Sequence, residues 1–273
     1  ADLKEVDRFW WFTRKKTYFS LTGKNDKGQE IVVVIPKSGE KVKVLAQKDG
    51  LTEKEAQQMG DVVKNVFNTG VTDSVEEATQ AVQLAKQNLG ELDNVDLQNV
   101  SQQLLAISQR TGTDLQENVT GASKLMTAYG LSAQEALDLI SAGYQENLNA
   151  SGDFMDTLNE YSPLFEDAGF SAEQMMQVLK NGMEGGAMNT DKVADAVKEL
   201  QIRLGDGTFE ENLGSFSKAT QDTFKEWQNG KATVADVAAS VGQDLKKMSP
   251  KKKQKALSAL STQFEDLGID AST

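Results

Sequence analysis

Tyr129-Gly130-Leu131-Ser132-Ala133-Gln134-Glu135 and, 39 positions on, Ala168-Gly169-Phe170-Ser171-Ala172-Glu173-Gln174 decide how this chain is read. Both run Gly, apolar residue, Ser, Ala, then two residues drawn from Gln and Glu. In each, Ser stands at a helix N-cap. Glu135 or Gln174, three residues on, can reach back to the cap N–H as a capping box. The apolar residue before Ser is placed as a hydrophobic staple, and the Gly supplies a left-handed stop to the preceding helix. The pattern predicts short amphipathic helices with defined starts and stops. No catalytic motif falls between Gly112 and Gly186.

The same punctuation extends in both directions. Val62-Val63 and Val66-Phe67 have helical spacing and end at Gly70, with Gly60 inside the helix at a cost of about 1 kcal/mol relative to Ala. Thr72-Asp73-Ser74 opens a helix closing at Gly90, and Val95 to Arg110 carries Leu97, Val100, Leu104, Leu105 and Ile107. Thr113-Asp114 caps the helix that ends at Gly130. Helices are then expected over Leu131 to Gly143, Phe154 to Gly169 and Phe170 to Gly182, and from Asn189-Thr190-Asp191 to Gly205-Asp206-Gly207. Helices this short are marginal alone and must pack on one another. The spacing fits either a repeat array or an irregular helical domain, and the second is the reading adopted.

Ahead of Met59 the pattern changes to period two, rich in aromatic and β-branched residues. Val6–Phe12 and Thr17–Thr22 read as strands around Arg14-Lys15-Lys16. Asn25-Asp26-Lys27-Gly28 is turn chemistry with Gly28 free to take positive φ. Glu30–Ile35 reads as a central strand stopped by Pro36, and Lys41–Leu45 as a half-exposed one. Thr52-Glu53-Lys54-Glu55 is a capping box. The fold class is therefore mainly α, an irregular multi-helix array (60–273) preceded by a small antiparallel β-sheet module (1–59).

Composition removes most chemistry. The 273 residues include no Cys and no His, which excludes disulfides, thiolate nucleophiles, and the common general base and zinc ligand. No cofactor, metal or catalytic residue is expected. Residues 1–59 hold 12 Lys/Arg and 9 Asp/Glu, net +3, which leaves 17 basic and 32 acidic groups, net −15, in residues 60–273. An acidic surface argues against specific nucleic-acid binding. No apolar run of membrane-spanning length is present, and the leading Ala1 is read as a processed or trimmed start.

Protein contact is the remaining chemistry. Trp10, Trp11, Phe12 and Tyr18 form an aromatic cluster; strand alternation prevents residues 9–12 from burying on one face, so some ring surface is left for a partner. Half of the cluster is also ordinary core for a small sheet. Met175, Met176, Met183 and Met188 offer flexible thioethers for an adaptable apolar surface, although core or inter-helix gap filling explains them better. Glu184-Gly185-Gly186 lacks the strand before and the Lys-Ser/Thr after that a phosphate loop needs. The acidic loop at Asp206 lacks the spaced oxygens of a calcium loop. Ser249-Pro250-Lys251-Lys252-Lys253 reads as the capped start of a last helix with a basic face.

Two resemblances organise these features. Lys16–Asn25, Gly28–Gly39 and Lys48–Ala56 resemble the TseB-type proteins. The resemblance implies a PepSY-like α+β module from a membrane-anchored, extracytoplasmic protein that controls cell-wall elongation through a penicillin-binding protein; here only a fragment of such a module is expected. Gln109–Thr113, Met126–Ala136, Leu164–Gln174, Met183–Ala187 and Leu260–Phe264 resemble the core of phage tail tape measure proteins, the minor tail proteins. That resemblance implies a virion protein of the phage tail with roles in tail length, assembly and genome delivery, and with tail proteins as partners. Together they imply a fusion joined near Met59–Gly60, natural or engineered, in which a host envelope fragment is held against the phage protein that contacts it. The alternative is an extracytoplasmic cell-wall regulator module that binds a penicillin-binding protein. An enzyme is the least supported class.

Overall fold

Ser132 and Ser171 cap their helices as the sequence requires. The computed structural model describes residues 3–13, 17–25, 27–38, 43–46 and 53–260. In it each serine oxygen accepts from the backbone N–H of Glu135 or Gln174, whose side chain accepts from the serine N–H in return. Gly130 and Gly169 close the preceding helices at φ 67° and 86°.

The chain divides into two compact units, Ala1–Val62 and Val63–Thr273. In the first, β1 (Leu3–Thr13), β2 (Thr17–Asn25), β3 (Glu30–Pro36) and β4 (Lys43–Ala46) form one antiparallel sheet in the order β1-β2-β3-β4. Gly28 turns the β2–β3 connection at φ 71°. Ile31 and Val33, alternate residues of β3, are buried, as period-two patterning demands. Lys41, Val42 and the Thr52 cap lie outside the described residues. Helix α1 (Glu53–Asn68) runs through Gly60 without a break, and the division between units falls inside it.

In the second unit the described helices are α2 (Val75–Asn88), α3 (Asn94–Thr111), α4 (Leu115–Tyr129), α5 (Ala133–Gln145), α6 (Phe154–Asp167), α7 (Ala172–Glu184), α8 (Thr190–Gly205), the single turn α9 (Thr208–Glu211), α10 (Lys218–Gln228), α11 (Val234–Lys247) and α12 (Pro250–Leu260). The protein is mainly α, with a small antiparallel sheet, as its patterning predicts. Helices α4 and α5 form one pair and α6 and α7 the next; α4 packs on α6, and α5 on α7. The 39-residue spacing therefore marks two stacked helix pairs. Beyond them α8 packs on both α6 and α7, and α10 pairs with α11.

Leu97 and Leu104, on the apolar face expected of their helix, are fully buried, and so are Leu125, Leu137, Ile140, Leu158 and Phe165, each contributing about 1.5–3 kcal/mol by removal from water. Two glycines differ from expectation. Gly143 and Gly182, read as helix stops, lie inside α5 and α7 without positive φ. Their role is close approach: a Cβ on Gly143 would stand 2.3 Å from Phe154 Cζ, and one on Gly182 would stand 2.4 Å from Val193 Cγ2.

Candidate protein-contact site

Helix α7 carries three of the four methionines singled out from sequence. Met175 is fully buried, and the Tyr129 hydroxyl donates to its sulfur at 3.5 Å. Burial pushes the Tyr129 hydroxyl well above the usual tyrosine range, with Glu166 and Glu173 adding to it, so it stays a neutral donor. Met176 is also buried and Met183 half-buried, whereas Met188 is 79% exposed in the connection to α8. The four thioethers thus occupy different environments and do not share one exposed face.

Next to this helix the structure opens a hollow that sequence reasoning did not single out. The bare faces of Gly182 and Gly169 set its walls. At Gly182, α8 comes in through Val193. At Gly169 a Cβ would stand 2.5 Å from Thr233 Cβ, and the Ala235 N–H donates to the Ala168 carbonyl at 3.0 Å. These contacts fix the start of α11 beside the α6–α7 turn. Between α7, α8 and α11 lies a groove of about 490 Å³. Its walls are apolar, chiefly Val178, Val193, Val197, Leu200, Val241 and Leu245, and Gln174, Gln177, Gln243 and Lys246 also line it. Leu260, the last described residue, lines it as well.

Electrostatically the groove is quiet. Asp236 is its one lining carboxylate among the described residues, and the backbone N–H and hydroxyl of Thr233 both donate to it at 2.8 Å, completing the capping box of α11. Those bonds hold its pKa below the ordinary aspartate value. Behind the groove, burial works to raise the pKa of Asp244, but donors from the Ser217 N–H at 2.7 Å and the Thr220 hydroxyl at 2.8 Å outweigh it and leave it lowered. Both carboxylates are committed anions with structural partners. Among the described residues no three Asp or Glu side chains converge to hold a metal ion. The acidic loop is a helix-to-helix turn in which Asp206 accepts from the Thr208 N–H at 2.8 Å and pairs with Arg203 at 3.1 Å. What this arrangement can do is receive apolar side chains.

Residues 212–245 carried no expectation from sequence, yet a signal for the second wall was present. Thr233-Val234-Ala235-Asp236 is a third capping box, followed by Val237, Val241 and Leu245 at helical spacing. What periodicity could not supply was that Val241 and Leu245 would face Val197 and Leu200 across a gap.

Of the aromatic candidates, Trp10, Trp11 and Phe12 lie on β1 and Tyr18 on β2. In register Trp10 is opposite Ser20, Trp11 opposite Phe19, and Phe12 opposite Tyr18. The surroundings of these side chains lie outside what is described. No described helix is long and apolar enough to cross a membrane.

The family model described as phage-related minor tail protein matches residues 51–261, and the one described as cell wall elongation regulator TseB-like domain matches residues 1–36. Both resemblances read from the sequence are thereby matched, the first over the whole helical array and the second over β1 to β3. No curated protein and no solved structure matches the chain.

Proposed function

This chain belongs to the phage-related minor tail protein family, and from that premise we propose that its helical unit is the folded core of a tape measure protein, acting in tail assembly, tail length and genome delivery. The observation that carries the reading is the family match across residues 51–261, coincident with the helical array α1 to α12. Its work is structural: it holds protein surfaces. Its partners are tail proteins and its place is the phage tail. The test is electron microscopy and infectivity of phage whose minor tail protein lacks the region equivalent to residues 63–260. Tails that are absent, of altered length or unable to deliver DNA are expected; normal, infectious tails would overturn the proposal.

For the first unit, the match to the TseB-like domain over residues 1–36 supports a second element of the proposal. Residues 1–59 derive from a host extracytoplasmic envelope protein and are joined to residues 60–273 as a fusion, which keeps a host surface beside the phage protein that meets it. Calorimetry of residues 60–273 with a full-length TseB-type protein should then give saturable heat; no heat would sink this element and leave the tail assignment standing. The same match favours one other reading, in which the sheet itself binds a penicillin-binding protein. Binding that survives removal of residues 63–273 would support that reading instead.

A further inference from the structure

One stretch of the helical unit reverses its charge. Residues 246–255 hold six lysines and no Asp or Glu, although residues 60–273 together carry a net −15. Lys246 and Lys247 end α11, and Met248 and Ser249 lead from it into α12. Helix α12 buries Ala256, Leu257 and Leu260. At 3.6 residues per turn Lys251 falls opposite that apolar side and Lys252 at its flank, and both are exposed. Helix α6 is the reverse case. Its 14 residues include no Lys or Arg; Phe154, Leu158 and Phe165 are fully buried, while Asp156, Glu160, Glu166 and Asp167 are all exposed. Asp156, Glu160 and Asp167, at i, i+4 and i+11, lie on one stripe. Among the described residues, neither Lys246, Lys247, Lys251 and Lys252 nor these four carboxylates take part in an ion pair. Burial, a 2.7 Å hydrogen bond to Asp195, and the charges of Asp191, Asp195 and Glu160 push the Tyr161 hydroxyl of α6 well above the usual tyrosine range. The acidic field of this face is therefore felt by its own helix, and Lys198, over the Tyr161 ring, offsets part of it.

We propose that the lysine face at the α11–α12 junction docks on the acidic face of α6 in a second copy of this chain. Charge complementarity selects this occupant. The lysines call for an acidic surface, and α6 supplies one as an exposed helix face without a single cation of its own. Each copy thus carries both halves of the contact. Two bodies of net negative charge repel at long range, but at 0.1 M salt that repulsion is screened beyond about 10 Å, and charges on touching faces lie inside this distance. An extended anionic surface such as a bilayer or a duplex is a poorer occupant, because its negative charge continues past the lysines and confronts the acidic remainder of the unit. Exposed ion pairs are individually weak, so the association is weak, salt-sensitive and carried by several pairs at once.

Sedimentation of the full-length chain tests this. At about 0.1 M salt the average mass should rise above that of one chain as concentration increases, and it should return to one chain at about 1 M, where the screening length falls to about 3 Å. Lys251→Glu with Lys252→Glu, and separately Glu160→Lys with Asp167→Lys, should each weaken association at least tenfold. Mixing the two variants should restore it, because each supplies the face that the other has lost. All four positions are exposed, and circular dichroism checks that the helices are kept. Should a reversal disturb them, the neutral pair Glu160→Gln with Asp167→Asn should still weaken association, by a smaller factor. A single-chain mass at every concentration would overturn the proposal, as would variants that associate like the parent. Association that is lost with the lysine variant but unaffected by the α6 variant would overturn it in favour of a different acidic surface.

Discussion

Glycine has two separate uses in this chain, and single substitutions tell them apart. Gly143 sits in the interior of α5 with the Phe154 ring against its bare face. An alanine there would gain helix propensity worth about 1 kcal/mol, but its methyl would need the 2.3 Å already occupied by Phe154 Cζ. Overpacking costs about 1–3 kcal/mol and wins, because Phe154 is itself fully buried and has no solvent side to move to. Gly242, interior to α11, has nothing within 4 Å of the same position, so Gly242→Ala should stabilise by about 0.5–1 kcal/mol. Urea unfolding of both variants checks the opposite signs. Asn118 makes a comparable residue-scale case. It is fully buried, donates to the Ser108 and Thr113 hydroxyls, and accepts from the Tyr144 hydroxyl at 2.9 Å. Asn118→Ala strands that hydroxyl, and a loss of about 1–3 kcal/mol is expected in the same experiment. Gly130 and Gly169 were legible as helix stops because left-handed geometry is a local requirement. Gly143 and Gly182 were not, because what excludes their side chain is a residue on another helix.

Helix ends carry the next level of specificity, and among the described residues three of them are reciprocal boxes: Ser132 with Glu135, Ser171 with Gln174, and Thr233 with Asp236. Ser132→Ala and Ser171→Ala should each cost about 0.5–2 kcal/mol, and close to additively, because the two caps share no partner. Acid should act through the α11 end in particular. The pKa values of Asp236 and Asp244 are lowered in the fold, Asp236 by the Thr233 donors and Asp244 by the Ser217 and Thr220 donors acting against its burial. A lowered folded value means that the unfolded state binds the proton more readily. The stabilisation is therefore fully present above the unfolded aspartate value near 3.9 and disappears as pH falls through the folded values. Asp244→Asn should be less stable than the parent near neutral pH, and the gap should close at about pH 2; a gap independent of pH would contradict this. The first two boxes could be read from sequence since Ser, staple and Glu or Gln are contiguous. The partners of Asp244 could not, because Ser217 and Thr220 belong to the preceding helix and only the α10–α11 pairing brings them within 3 Å.

At the scale of the whole molecule, composition and charge change near Met59–Gly60 and the family match changes between residues 36 and 51, while helix α1 runs on across Met59–Gly60. Helix α1 runs from Glu53 to Asn68 across that point, because one exposed glycine costs a helix only about 1 kcal/mol and does not break it. The change of sequence character was legible, but whether a helix would carry through it depended on which unit its apolar residues serve. Val66 is fully buried and belongs to the second unit, so a cut at the change in composition would shorten the helix that carries it. Residues 53–273 should retain the helical circular dichroism expected of their length and melt in one cooperative transition. A chain beginning at residue 70 loses Val66, whose burial is worth about 1.5–3 kcal/mol, and leaves the apolar surface that covered it in water. For a unit of this size each kcal/mol corresponds to roughly 2–4 °C. The shorter chain should therefore melt at least several degrees below residues 53–273 at equal concentration and pH. Equal melting temperatures would mean that α1 is an appendage of the sheet, and an absence of helix in residues 53–273 would mean that the helical array depends on the sheet to fold.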